Sequence, residues 1–130
     1  MMMVTALYAS LLTLVMLWLS IEVIKQRRKN QVAHADGGVE SLQVARSAQS
    51  NAMDYIPITV ILMALLEFNG ANVWLIHVIG VAFVAGRIIH GKSILARSLK
   101  GRKQGMYLTF ASMVSLVVLN LIYLPFDKLM

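Results

Sequence analysis

Cysteine is absent from these 130 residues, and proline occurs only twice. Without cysteine there is no disulfide framework, no thiolate metal site and no cysteine nucleophile. Charge is scarce as well. Asp, Glu, Lys and Arg make up 14% of the chain, where a soluble domain carries nearer to about a quarter. The three histidines, His34, His77 and His90, are scattered, so no metal site is expected. The charge that remains is uneven, with 12 basic against 6 acidic residues and a net charge of +6. A nucleic-acid binder would carry such an excess as a basic face on a folded module. Here nine of the twelve basic residues sit in two short segments, so the excess reads as a membrane-topology signal and no nucleic-acid partner is expected.

What the chain has in quantity is apolar sequence: 58% hydrophobic residues and a mean hydropathy of +0.71. Met1 to Ile21 carries no charge, matching the roughly 20 residues that one spanning helix needs. A cleaved signal peptide is the competing reading, but no basic segment precedes the apolar run and the charges follow it. The pattern predicts four membrane helices over about residues 2–24, 42–68, 73–95 and 106–124, forming one all-α domain across 1–130. Gly37-Gly38 and Asn69 to Asn72 mark loops, and Ser41 is a candidate cap for the second helix. Lys25, Arg27, Arg28 and Lys29 follow the first helix. Lys92, Arg97, Lys100, Arg102 and Lys103 follow the third. Both groups lie on one side, which the positive-inside rule makes cytoplasmic, and both are suited to anionic lipid headgroups. Trp74, Tyr8 and Tyr123 fall toward the other side, as an aromatic belt would. Location in a bacterial inner membrane or its equivalent is expected.

One stretch is out of keeping with this. Arg46 to Pro57 puts a basic group, amides and a carboxylate just ahead of the apolar run Ile58 to Leu66. At about 100° per residue, Gln43, Arg46, Ser47, Ser50, Asn51 and Asp54 fall within roughly 140° of helix arc. Ionisable groups at membrane depth are functional candidates by default. Arg46, Asp54 and Arg87 qualify, each in the cytoplasmic half of its helix. An Asp54–Arg87 ion pair locking two helices is one reading. A cavity for a small zwitterionic or anionic ligand is the other, favoured by an excess of basic groups and by the donor–acceptor set of Asn51 and Asp54. Pro57 removes a backbone donor and frees the Met53 carbonyl beside Asp54. Gly80, Val84, Arg87 and Gly91 share a face of the third helix, where small residues let a neighbour approach closely. His90 is either interfacial or a ligand donor, His77 is structural, and Glu22 neutralises local charge.

The Q-S-N-A-M-D-Y-I-P of Gln49 to Pro57 resembles the helix-two signature of the membrane-associated proteins in eicosanoid and glutathione metabolism, the MAPEG family. The G-R-I-I-H-G of Gly86 to Gly91 is similar to its helix-three segment. The resemblance covers the whole chain. It implies a homotrimer of four-helix bundles with glutathione, as co-substrate, bound between subunits on the cytoplasmic side. It implies that Asn51 and Asp54 hold the glutathione main chain and amino group, and that Arg87 and His90 belong to the binding set with Arg46 and Gln49. It also implies that Arg102, or alternatively Lys103, stabilises the thiolate. Asp54 stands where the family commonly has Glu, and Arg46 stands five residues before Asn51 where the family often has Arg four before. The expected function is a glutathione transferase or peroxidase acting on small lipophilic electrophiles. A non-catalytic lipid- or glutathione-binding scaffold is the alternative. A small four-helix drug exporter is disfavoured, because it needs a carboxylate in the middle of the first helix and Glu22 lies at its end.

Overall fold

In the computed structural model, which describes residues 1–129, the chain is four long helices and one short 3-10 turn. They are α1 (Met3–Asn30), α2 (Glu40–Phe68), α3 (Val73–Leu95) and α4 (Leu99–Ile122), followed by the turn Phe126–Lys128. All four helices are long and apolar enough to cross a membrane.

The boundaries differ from the expected ones where charge was taken to end a helix. α1 runs on to Asn30 through Lys25, Arg27, Arg28 and Lys29, and α4 begins at Leu99 instead of 106. Lys, Arg and Gln are good helix formers, and their long stems reach water from a helix that still lies at the interface. Ser98 caps α4, accepting from the Gly101 backbone N–H. Lys100, Arg102 and Lys103 are therefore fixed on the first turns of a helix rather than in a loop. Ser41 does not cap α2, which begins at Glu40 with Val39 at the cap position. Asn72 caps α3, its side chain accepting from the Trp74 N–H at 3.0 Å, and Gly70 takes the left-handed conformation the turn needs (φ +80°).

The packing order follows from which faces carry small residues. α2 and α3 form the central diagonal, α1 packs on both, and α4 packs on α3 and α2. Tyr8 lies flat where Gly80 has no side chain, and Trp18 does the same at Gly91. One expectation is met as a result and one changes. Gly80 and Gly91 do admit a neighbour, and the neighbour is α1. Tyr8 is a buried core residue and not part of an exposed belt, whereas Trp74 is exposed. The closest crossing is α3 on α4. A Cβ on Gly105 would lie 2.6 Å from His90 Cβ and 2.8 Å from the Gly86 carbonyl oxygen, and one on Gly86 would lie 2.8 Å from Leu108 Cβ. That crossing brings Arg87 and His90 against Met106 and Thr109. Leucine, isoleucine and valine cover the outer faces of α1 and α4. In a bilayer these are the faces for lipid or a neighbouring subunit.

Candidate functional site

The polar stripe of α2 lines a single cleft. Gln43, Arg46, Ser47, Ser50, Asn51 and Asp54 surround a space of about 470 Å³ together with Asp36 from the α1–α2 loop. Asp36 is a residue the sequence reading passed over, although the Asp-Gly-Gly that carries it is a turn signal. Its Oδ1 accepts from the Gly38 N–H at 2.9 Å, and Oδ2 lies 3.8 Å from the Arg46 guanidinium. The Gly38 N–H, then the Gln43 side chain and the Arg46 charge, hold its carboxyl below the usual range despite some desolvation. Arg27 fastens the loop by donating to the Ala35 carbonyl at 2.9 Å.

Arg87 is the largest of the fully buried side chains, at 0% exposure. It does not pair with Asp54, which is exposed. Its Nη2 donates to Asn51 Oδ1 at 2.6 Å and meets His90 Nδ1 at 3.4 Å. Its Nη1 reaches Thr109 Oγ1 at 3.4 Å and Met106 Sδ at 3.9 Å. The Tyr55 ring stacks 5.7 Å from the guanidinium carbon. Thr109 donates its own proton to the Gly105 carbonyl at 2.8 Å, which leaves its oxygen to accept from Arg87. Among the described residues no carboxylate pairs with Arg87, and its Nε has no partner. A buried cation compensated only by neutral groups is expensive, and it makes its surroundings favourable to an anion.

A second cleft, of about 430 Å³, opens on the other side of Asn51. Asn51, His90, Arg102, Lys103, Tyr107 and Phe110 are among its lining. Asn51 therefore stands at the junction of a cleft of mixed charge and one that is basic and aromatic. A third space, about 490 Å³, shares Gln43 and Ser47 with the first and Arg102 with the second. Of the residues the sequence singled out, the structure thus brings together Arg46, Asn51, Asp54, His90, Arg102 and Lys103 around adjoining clefts, with Arg87 beneath them. Gln49 goes elsewhere: its Nε2 donates to Ser20 Oγ of α1 at 3.0 Å. Glu22 pairs locally with Lys25 at 2.8 Å, so α1 has no mid-span carboxylate of the kind an exporter requires. No group of histidines and acidic residues able to hold a metal occurs among the described residues.

Comparison with known proteins agrees with the motifs. The MAPEG family model matches residues 5–122. Two curated relatives, each called inner membrane protein YecN, come from Escherichia coli strains K12 and O6:H1. Each is 38% identical over 125 residues, covering 96% of this chain and 95% of the relative. A match over nearly the whole length, on a chain whose helix-two and helix-three signatures converge on one site, has a direct reading: the chain belongs to the MAPEG family.

Proposed function

We propose that this protein binds glutathione in the adjoining clefts and presents its thiolate to lipophilic electrophiles dissolved in the membrane, as a glutathione transferase or peroxidase. The observation that carries the reading is Arg87. It is a fully buried cation with no acidic partner among the described residues, and it holds Asn51 at the junction of the two clefts. Glutathione has two carboxylates, one ammonium and a thiol. The mixed-charge cleft suits its amino-acid end, with Asp54 for the ammonium and Arg46 for a carboxylate. The second cleft suits the thiol. Arg102, with Lys103 beside it, supplies the positive charge, and Tyr107 and Phe110 supply an apolar wall for the electrophile.

The energetics are modest and sufficient. A thiol of pKa ~8.5 is a few per cent ionised at neutral pH, and lowering it to ~7 ionises about half, an effect of roughly 2 kcal/mol. With an aryl halide, the sulfur forms the carbon–sulfur bond and the halide leaves with its electron pair. With a lipid hydroperoxide, two glutathione molecules are oxidised to the disulfide while the hydroperoxide becomes alcohol and water. No protein side chain becomes covalent in either case. Tyr107 is 71% exposed and Phe110 48% exposed, which supports entry of the electrophile from the bilayer.

The same reading includes assembly and location. The clefts are open toward the outside of the single chain, and we take a homotrimer, with a neighbouring subunit closing them, as the working assembly. The basic ends of α1 and α4 are assigned to the cytoplasmic side of an inner membrane, the location named for the relatives. One observation favours a binder without turnover. The Arg102 and Lys103 side chains make no hydrogen bond among the described residues, so nothing in one chain aims them. Detergent-purified protein separates the readings. Thermal stabilisation by glutathione together with turnover of a chromogenic aryl halide supports the enzyme. Stabilisation without turnover supports the binder, and no stabilisation at millimolar glutathione defeats both.

A further inference from the structure

Arg87 does not line either cleft, so its influence passes through the two side chains it holds. A guanidinium has only donors. Asn51 must therefore turn its carbonyl oxygen inward, which fixes the amide and points both Nδ2 hydrogens away from Arg87. The same logic fixes His90. Its Nδ1 faces Arg87 Nη2 at 3.4 Å and must accept, so the ring proton sits on Nε2. Neither Asn51 Nδ2 nor His90 Nε2 makes a hydrogen bond among the described residues. His90 is otherwise almost wholly buried, at 2% exposure, and its ring lines the basic cleft. His90 Cβ packs where Gly105 has no side chain, and the buried ring is held by its contact with Arg87. Two oriented, unspent N–H donors therefore face the clefts, with Arg102 across the second.

We propose that His90 is a catalytic hydrogen-bond donor to the glutathione thiolate through Nε2–H, and that Arg87 is the positioning residue that aims both it and Asn51. This rests on the glutathione reading and adds a second group, besides Arg102, in contact with the sulfur. The thiol proton leaves to water at the cleft mouth. The thiolate gains a donor that the neutral thiol uses less well, and a hydrogen bond to the charged form lowers the pKa. Asn51 is left to donate to the ligand's main chain. The charged and titratable groups around His90 are Arg87 on its own helix, Arg102, Lys103 and Tyr107 on α4, and Tyr55 on α2, stacked on Arg87. No carboxylate lines this cleft.

The test is the titration of bound glutathione, followed by thiolate absorbance in the full-length, detergent-purified protein. His90→Leu is expected to raise the midpoint by about one pH unit, which from a midpoint of ~7 is about a fivefold loss of thiolate at neutral pH. His90→Gln, which restores a donor near the Nε2 position, is expected to recover most of the shift. Binding of S-methylglutathione, which has no thiol to ionise, is expected to weaken less in His90→Leu than binding of glutathione; a merely structural role would weaken both ligands alike. If His90→Leu does not purify, Arg87→Lys, which cannot hold both partners with one planar fork, reads the same shift. An unchanged midpoint with glutathione still bound overturns the proposal and leaves the glutathione reading standing. Failure of the wild-type protein to bind glutathione overturns both.

Discussion

The two ends of the bundle both carry polar side chains at membrane depth, and they use them differently. At the end holding the α2–α3 turn most of these groups bond within the protein, although Thr5 Oγ1 has no partner. Glu67 reaches across from the last turn of α2 and accepts from the backbone N–H groups of Val4 and Thr5 at 2.9 and 2.7 Å. It thereby caps α1, whose first turn has no acidic residue of its own. Tyr8 and His77 pair at 2.9 Å, and Asn120 donates to the carbonyls of Leu62 and Leu116. At the other end donors are left over: Asn51 Nδ2, His90 Nε2, Arg102 and Lys103. A polar group in a span is structural where its hydrogen bonds close within the protein. We read it as directed at a ligand where they do not. Residue type alone does not separate the two cases, since both ends have a histidine, an asparagine and a charge.

Predictions sharpen this contrast. The largest effect is expected from Arg87→Met, which should abolish stabilisation by glutathione. Folding stability should change much less, because replacing a buried uncompensated cation by an apolar side chain removes a desolvation cost as well as its contacts. Melting temperatures with and without ligand check this. A protein that unfolds yet retains ligand binding when folded would reverse the assignment. Glu67→Ala should do the opposite, lowering stability by about 1–2 kcal/mol through the lost cap with the glutathione shift intact. Gly105→Ala should disturb both properties. Its methyl would meet His90 Cβ at 2.6 Å, and overpacking of this kind costs about 1–3 kcal/mol. Asp54→Ala should remove most of the ligand shift while leaving stability within about 0.5 kcal/mol, as for an exposed position.

The smallest effect concerns Asp36. Its folded-state pKa is depressed, so its stabilising contribution is present above the ordinary carboxylate range and is lost as pH falls through the lowered value. Asp36→Asn should therefore differ slightly from wild type at a constant margin between about pH 5 and 8. The difference should vanish only below the ordinary carboxylate pKa of about 3.9. A margin that varied between pH 5 and 8 would contradict this.

How much of this could be read from the chain divides along physical lines. The four spans were legible because the length of an apolar run maps directly onto bilayer thickness. The polar stripe was legible because helical periodicity is local: six residues chosen by angle alone line one cleft. The C-terminal end of α1 and the start of α4 lie beyond the expected bounds, because the long stems of Lys and Arg let a helix continue through the interface. The partner of Arg87 was not legible. Asn51 and Asp54 are both on the stripe, and which one meets Arg87 depends on how α2 and α3 are rotated and spaced, which no single helix encodes. The α3–α4 crossing at Gly86 and Gly105 was equally hidden, since it requires two glycines from different helices to meet. Glu67 was hidden for a related reason, since it acts on the start of α1, more than 60 residues away.

The central claim is that the unspent donors around Asn51 form a glutathione site. The most direct test is the melting temperature of Asn51→Ala beside wild type, each with and without millimolar glutathione. The account predicts a saturable rise for wild type and none for the variant. A rise of equal size in both would contradict it.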